Sequence, residues 1–214
     1  MSTGALQDAE RIVRTIALTA SENEVYFSDL DAAVADGDFG HSLAAGFNKL
    51  LEQWDELKYD DVGGLLKATA IILSSRVGGV SGPIWSTAFL RAGAALSGKE
   101  DPSGAEVVAA LRAAAEGIQQ RGNAELGDKT LLDAFVPATN VLEESLTNGG
   151  SRNEAVADAA KEARTCAENT LGMIAKRGRA SYTGERSRES VDPGAIAVAV
   201  MFENVSAALN ESVE

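Results

Sequence analysis

Alanine dominates this sequence and constrains its fold more than any other feature. The 214-residue chain holds 37 alanines but only 4 prolines, and aromatic residues amount to 5% of it. Alanine is the best helix former and is depleted in β-strands, while proline is the residue that most strongly interrupts a helix. The composition therefore predicts an all-α protein, and the length predicts a single domain over residues 1–214.

Amphipathic stretches separated by glycine-bearing turns predict where the helices lie. The first covers Ala5–Thr19, and a short element follows it through Tyr26 and Phe27 to Leu30. Seven further helices are expected at His41–Trp54, Val62–Val77, Ile84–Leu96, Ala105–Arg121, Leu131–Thr147, Glu154–Lys176 and Ala195–Ser212. Short connections favour antiparallel neighbours, so the expected architecture is an eight-helix antiparallel up-and-down barrel or bundle.

Charge and cysteine content exclude several classes of protein. The net charge of −13 creates a field that repels phosphate backbones, which argues against a nucleic acid partner. The same acidity suits carboxylates that hold hard cations, or it serves only to keep the chain soluble. The single cysteine, Cys166, excludes an internal disulfide and a cysteine zinc site. We interpret it as a small thiol in the core.

Nothing in the sequence indicates a membrane. No apolar run approaches the roughly 20 residues that a membrane span needs. The N-terminal stretch MSTGALQDAE lacks the basic and then apolar pattern of a secretory signal. The sequence therefore predicts a cytoplasmic protein without a membrane partner.

Three aspartates stand close together in the segment LDAAVADGDFGHS, at Asp31, Asp36 and Asp38. Gly37 and Gly40 argue against a continuous helix here, which leaves a tight acidic loop. Carboxylates this close raise one another's pKa unless a cation lies between them, and oxygen ligands favour Mg²⁺ or Ca²⁺. Because Mg²⁺ commonly binds one or two carboxylates together with phosphate oxygens, the loop suggests a nucleotide site. A solvated acidic turn is the alternative.

Four further loop segments combine glycine with polar residues. Gly78–Pro83 precedes a helix and is either a phosphate-binding turn or a plain helix–helix joint. Gly127–Thr130 stands at another helix start, where either the segment belongs to the same site, or Asp128 or Thr130 is only an N-cap and Lys129 only a surface charge. Arg179 follows Gly178 and either clamps phosphate or faces a helix C-terminus. The segment Asp192–Gly194 is either part of the same site or only a helix entry.

The segments DAAVADGDFG, GGVSGP, GDKTLLD, GRASYTGERS and DPGA, in this order and spacing, resemble the nucleotide-binding L subunits of dihydroxyacetone kinases over nearly the whole chain. The resemblance implies an all-helical barrel of eight antiparallel helices, with ADP or ATP bound through two Mg²⁺ ions at one end. It also implies phosphoryl transfer to a small hydroxyketone that a separate K subunit holds covalently on a histidine. A K-type partner in trans is therefore expected, and a phosphotransferase-type subunit is a possible phosphoryl donor.

The resemblance assigns roles to matching positions of this chain. Asp31, Asp36 and Asp38 would bind Mg²⁺, and together with Arg179 they would serve the transfer step. The residues along the nucleotide would be Gly40, His41, Ser42, Val80, Ser81, Gly122, Leu131, Arg179, Asp192, Pro193 and Gly194.

Three positions depart from the usual pattern of this family. Phe39 stands where the family has histidine, Ser42 where it has asparagine, and Ser86 where it has glycine. His41, the only histidine, lies two places after the usual one, and it either makes a displaced phosphate contact or faces solvent. Trp85 is interpreted as a packing residue, with contact to the base or to the partner as the alternative.

Three functional hypotheses follow. The leading one is a kinase subunit that transfers phosphate to dihydroxyacetone or to a tetrulose such as erythrulose. The second is an adaptor or regulatory subunit of a phosphotransferase-linked system that retains ADP. The third is a metal-dependent phosphohydrolase that acts without a partner.

Overall fold

The computed structural model describes residues 4–211, and within them all regular structure is helical. The all-α prediction is therefore confirmed for this part of the chain. Two 3₁₀ segments, Trp54–Glu56 and Arg179–Glu189, accompany nine α-helices: α1 Gly4–Glu22, α2 Glu24–Ala32, α3 Phe39–Glu52, α4 Val62–Arg76, α5 Ser81–Ala95, α6 Gly104–Gly122, α7 Leu132–Thr147, α8 Arg152–Glu168 and α9 Pro193–Asn210. Ser212, the predicted end of the last helix, lies outside the described residues.

The helix count and several helix ends differ from the prediction; α5, for example, begins at Ser81, three residues before the predicted Ile84. Residues 24–32 form the full helix α2, where only a short element was expected, so the described chain has nine α-helices rather than eight. The predicted helix Glu154–Lys176 ends early, at Glu168. There the hydroxyl of Thr170 donates to the Ala167 carbonyl at 2.6 Å and accepts from the backbone N–H of Asp192 at 2.7 Å. These bonds turn the chain toward the start of α9 and stop α8.

Capping side chains begin several of the helices. Ser103 and Glu106 form a reciprocal capping box at α6, and Ser151 and Glu154 form another at α8. At α9 the carboxylate of Asp192 accepts a hydrogen bond from the backbone N–H of Ala195 at 2.7 Å. These caps satisfy N–H groups that a helix leaves unpaired at its start, so they fix where the loops end and the helices begin.

The helices pack in a closed order. From α3 to α9 each helix contacts the next one in the chain, and α9 returns to α1, which packs against α3. Helix α2 lies against α3 and α9. No helix of residues 4–211 is by itself both long and apolar enough to cross a membrane. The 3₁₀ segment Arg179–Glu189 and α9 together reach that length and composition, but they are bent by 79° relative to each other.

Small residues allow these helices to approach closely. On α8, the alanines at 155, 159, 163 and 167 are fully buried and repeat every four residues along one face. Between α4 and α5 the contact is closer still: a Cβ atom on Gly63 would stand 2.6 Å from the carbonyl oxygen of Gly93, and one on Gly93 would stand 2.7 Å from that of Gly63. The two backbones therefore meet at this pair of glycines.

We expect Gly63→Ala to lower the free energy of unfolding by about 1–3 kcal/mol, because the added methyl group meets backbone atoms that cannot move aside. Gly4→Ala is the matched control, since a Cβ there has no neighbour within 4 Å. Urea unfolding followed by circular dichroism measures both. Equal midpoints for the two variants would contradict the close approach.

Candidate functional site

One cavity of about 220 Å³ lies where the loops singled out in the sequence converge. Five stretches of chain reach it: the end of α2 and the start of α3, the loop before α5, the loop before α7, the segment around Arg179, and the start of α9. Ten of the fourteen site residues expected from the sequence line it: Asp31, Asp38, Val80, Ser81, Gly122, Leu131, Arg179, Asp192, Pro193 and Gly194.

The three aspartates lie together at one edge of this cavity. One carboxylate oxygen of each of Asp31, Asp36 and Asp38 lies within 4.8 Å of the other two. The turn between α2 and α3 that brings them together depends on Gly37, which has a φ of 76°. It also depends on Gly40, where a Cβ atom would stand 2.6 Å from the backbone nitrogen of Ser28. The donor set consists of oxygen atoms only, which fits a hard divalent cation.

Asp31 is the half-buried member of this cluster. Its burial raises the pKa of its carboxyl, and the nearby charges of Asp36 and Asp38 act in the same direction, while the backbone N–H of Phe39, 3.4 Å away, opposes them. Three carboxylates in this arrangement repel one another, so a cation among them would relieve the repulsion.

Arg179 supplies positive charge at the aspartate cluster. Its Nη1 atom lies 2.9 Å from a carboxylate oxygen of Asp38 and also contacts Asp36. About half of each of these side chains is exposed, so the ion pairs contribute little to stability. The guanidinium instead gives the acidic edge of the cavity a group that suits phosphate oxygens.

Part of the cavity lining is apolar. This part is formed by Ile84 and Trp85 of α5, Ile118 of α6 and Ala124 of the loop after α6. Trp85 also packs edge-on against Phe47, with 6.4 Å between the ring centroids, so it belongs both to the core and to the cavity wall. A polar edge and an apolar wall in one cavity suit a ligand with a charged end and a flat, weakly polar end.

Four expected residues do not line the cavity. Asp36 belongs to the acidic cluster at its edge. Gly40 is buried against α2, and Ser42 stands behind Gly78, where its hydroxyl is 3.1 Å from the position a Cβ would take. His41 is 80% exposed and pairs with Glu24, so it faces solvent in this structure. Roles for these residues toward a nucleotide stay predictions.

Lys129 is buried, which excludes the alternative that it is only a surface charge. Only 2% of the residue is exposed, and its Nζ atom donates hydrogen bonds to backbone carbonyls. Neighbouring Asp128 is also buried and accepts from Nε of Arg177 at 2.8 Å and from Nζ of Lys176 at 3.2 Å. No local sequence pattern indicates these contacts, because the partners lie more than 40 residues away along the chain.

Asp192 is a half-buried residue of the cavity wall whose carboxyl group is largely shielded from water. Its burial raises its pKa to about 7, against the backbone hydrogen bond from Ala195 and the positive charge of Lys129, which lower it. As the cap of α9 it fixes Pro193 and Gly194 at the cavity wall.

Comparisons with known proteins show which family the chain belongs to. A model of the DAK2 domain matches residues 33–207. The chain belongs to the DAK2 domain family. It is 36% identical over 211 residues to the "PEP-dependent dihydroxyacetone kinase, ADP-binding subunit DhaL" of Escherichia coli (strain K12), covering 99% of this chain and 100% of that protein. The resemblance to L subunits of dihydroxyacetone kinases is thereby confirmed.

Two longer kinases also resemble this DAK2 domain. The L-erythrulose kinase of Pectobacterium atrosepticum is 34% identical over 183 residues, which are 85% of this chain and 31% of that protein. The crystal structure of the dihydroxyacetone kinase from C. freundii in complex with AMP-PNP and Mg²⁺ superposes with a TM-score of 0.73 at 27% identity. That match covers 99% of this chain and 35% of the other. The DAK2 domain thus spans about a third of these longer proteins.

We expect Asp128→Asn to lower the free energy of unfolding by about 1–3 kcal/mol at pH 7. Burial opposes ionisation of this carboxyl, but hydrogen bonds from Arg177, Glu125 and Lys176 hold its pKa below the ordinary value of 3.8. A lowered pKa contributes stability above pH 3.8 that is lost as the pH falls through the folded-state value.

The difference between wild type and Asp128→Asn should therefore shrink as the pH is lowered from 7 to below 3.8. Urea unfolding across this range measures it, with Asp60→Asn, at an exposed position, as the control. A difference that stays constant with pH would show that the charge of Asp128 does not stabilise the fold.

Proposed function

We propose that this DAK2 domain is the nucleotide-binding subunit of a small-ketose kinase. It passes phosphate by way of Mg²⁺–ADP or Mg²⁺–ATP to a hydroxyketone that a separate K-type subunit holds covalently. The observation that carries this proposal is the meeting of three carboxylates and one arginine at the edge of a cavity with an apolar wall. In this proposal the chain is one domain over residues 1–214, whose eight longer α-helices form an antiparallel barrel with the site at one end.

Asp31, Asp36 and Asp38 would hold the metal, for which we propose two Mg²⁺ ions. The all-oxygen donor set and the mutual repulsion of the carboxylates support this assignment. Bound Mg²⁺ neutralises charge on the β- and γ-phosphates of a nucleotide. The relative crystallised with AMP-PNP and Mg²⁺ supports the same pairing of metal and nucleotide.

The chain's own groups would bind and orient the phosphates. Arg179 would contact them, together with backbone N–H groups of Val80 and Ser81 at the start of α5. The N-terminus of α5 has no side-chain cap, and its dipole favours anions. Because the transition state of phosphoryl transfer is largely dissociative, such positioning and charge supply most of the acceleration.

The apolar wall would receive the adenine ring between Trp85 and Ile118. Gly122 and Leu131 would border the nucleotide, and the turn at Asp192–Gly194 would close the pocket beside it. By the family resemblance Gly40, His41 and Ser42 would also lie along the nucleotide, although none of them lines the cavity in this structure. A base for the acceptor hydroxyl would come from the K-type partner.

We expect Asp36→Asn and Asp38→Asn each to weaken Mg²⁺-dependent ADP binding by about tenfold to a hundredfold, because each removes a charged ligand oxygen. Calorimetric titration of ADP with and without Mg²⁺ measures this. Asp29→Asn is the matched control, since Asp29 is an exposed aspartate on α2, the helix that precedes the turn of Asp36 and Asp38. Unchanged affinity in both aspartate variants would contradict the proposed metal site.

The identity of the phosphoryl donor distinguishes a subunit that retains ADP from a subunit of an ATP-dependent kinase. The related E. coli subunit is named as ADP-binding and PEP-dependent, which supports an ADP that stays bound and is rephosphorylated by another protein. Mass spectrometry of the native protein should then detect retained ADP. If ADP instead exchanges freely and ATP is consumed with a K-type subunit and a ketose, the chain is part of an ATP-dependent kinase.

The same assay also identifies the acceptor and tests the hydrolase alternative. Dihydroxyacetone and erythrulose are offered in parallel, because related kinases act on each according to their names. We expect no phosphate release from the chain alone. Release without any partner would favour the phosphohydrolase.

A further inference from the structure

The segment 173–190 carries Arg179, and the backbone near both of its ends is hydrogen-bonded to one buried ammonium group, that of Lys129. Nζ of Lys129 donates hydrogen bonds to the backbone carbonyl oxygens of Met173 at 3.2 Å, Ser187 at 2.5 Å and Ser190 at 2.5 Å. The first of these carbonyls precedes Arg179 in the chain and the other two follow it. An ammonium group has three N–H donors, so these bonds use all of them.

The backbone of Lys129 has a conformation that lysine rarely adopts. Its φ is 61°, and among residues 4–211 only Asn123 is another non-glycine residue with positive φ. Such a conformation persists when the surroundings over-determine it, and it is enriched at functional sites. Here it accompanies a side chain that is directed inward and is almost fully buried.

Asp128, the residue before Lys129, also hydrogen-bonds to this segment. Its carboxylate accepts from Arg177 and Lys176, and its carbonyl oxygen accepts from the backbone N–H of Lys176 at 3.0 Å. These residues come directly before Gly178 and Arg179. The adjacent pair at 128 and 129 therefore fixes the segment close to Arg179 and at both of its ends.

Polar contacts are the main attachment of this segment. Within Arg179–Glu189 only Ser187 is buried, so this stretch has little apolar anchoring. The hydroxyl of Ser187 donates to the Gly184 carbonyl at 2.6 Å and accepts from the backbone N–H of Ala175 at 2.9 Å. Without the ammonium group of Lys129, three carbonyls would lose their donor and the segment would loosen.

We propose that Lys129 is a positioning residue that aims Arg179 at the phosphates of the nucleotide. It does so by holding the backbone on both sides of Arg179, since carbonyl oxygens take up all three N–H donors of its ammonium group, although the residue also lines the cavity. This inference rests on the proposed function, because it takes Arg179 to contact the phosphates.

A double-mutant cycle on Mg²⁺–ADP affinity tests the coupling. We expect Lys129→Met to weaken Mg²⁺–ADP binding about tenfold in the wild-type background and to have little effect in an Arg179→Met background, because the two residues act as one unit. Affinity for adenosine, which has no phosphate, should not change. Lys161→Met, at a lysine with 78% of its side chain exposed, is the matched control. Equal losses in both backgrounds, or an equal loss for adenosine, would overturn the proposal.

Hydrogen exchange gives a readout that does not depend on nucleotide binding. In Lys129→Met we expect faster exchange of the Gly172 and Ala175 amides, which hydrogen-bond to residues of the segment, and unchanged exchange in α3–α6. Unchanged exchange of these two amides would overturn the proposal even if the proposed function holds. If wild-type protein binds no Mg²⁺–nucleotide, the proposed function fails, and exchange still reports whether Lys129 holds the segment.

A second variant covers the case in which Lys129→Met does not fold. Ser187→Ala removes the hydroxyl that links Ala175 to Gly184 and leaves the ammonium group in place. It should reproduce the faster exchange and the loss of Mg²⁺–ADP affinity in a weaker form, again only when Arg179 is present. A loss of affinity that persists in the Arg179→Met background would contradict the proposal.

Discussion

Close contact between helices through small side chains is the constraint on which the rest of this molecule depends. The buried alanines of α8 and the facing glycines of α4 and α5 leave no room for the helices to slide past one another. Helices packed in this way fix where their connecting loops stand. The acidic turn, the glycine turn before α5 and the segment around Arg179 consequently meet at one cavity.

The fold follows from features that are local in the sequence, and this is why much of it could be predicted. Helix propensity, apolar periodicity and the capping serines at 103 and 151 each act within a few residues. The prediction failed where distant contacts decide the structure. Helix α8 ends at Glu168, just before Thr170, because the hydroxyl of Thr170 accepts a hydrogen bond from the backbone N–H of Asp192, 22 residues further on. Nothing in the local pattern of residues 169–176 indicates that contact.

In the candidate site, too, residues that are close in the sequence could be predicted and contacts between distant residues could not. Asp31, Asp36 and Asp38 lie within eight residues, so their proximity could be read from the sequence and from the glycines among them. The apolar wall could not, because its residues come from α5, from α6 and from the loop after α6, which meet only in the folded chain. Lys129 illustrates the difference best, since its partners lie 44 to 61 residues away. A lysine in a glycine-rich loop gives no sign of whether it faces water or carbonyls.

The contact between Gly63 and Gly93 also bears on the cavity, although it lies at the other end of the helices. Gly63 is in the first turn of α4, and the loop that lines the cavity follows the last turn, about 20 Å away along the helix axis. Because the backbones meet at these glycines, α4 and α5 form a stiff hairpin whose two arms have a fixed register. The position of the loop that joins the two helices is thus set at the other end of the hairpin, and a shift of one helix there would tilt the backbone amides at the start of α5.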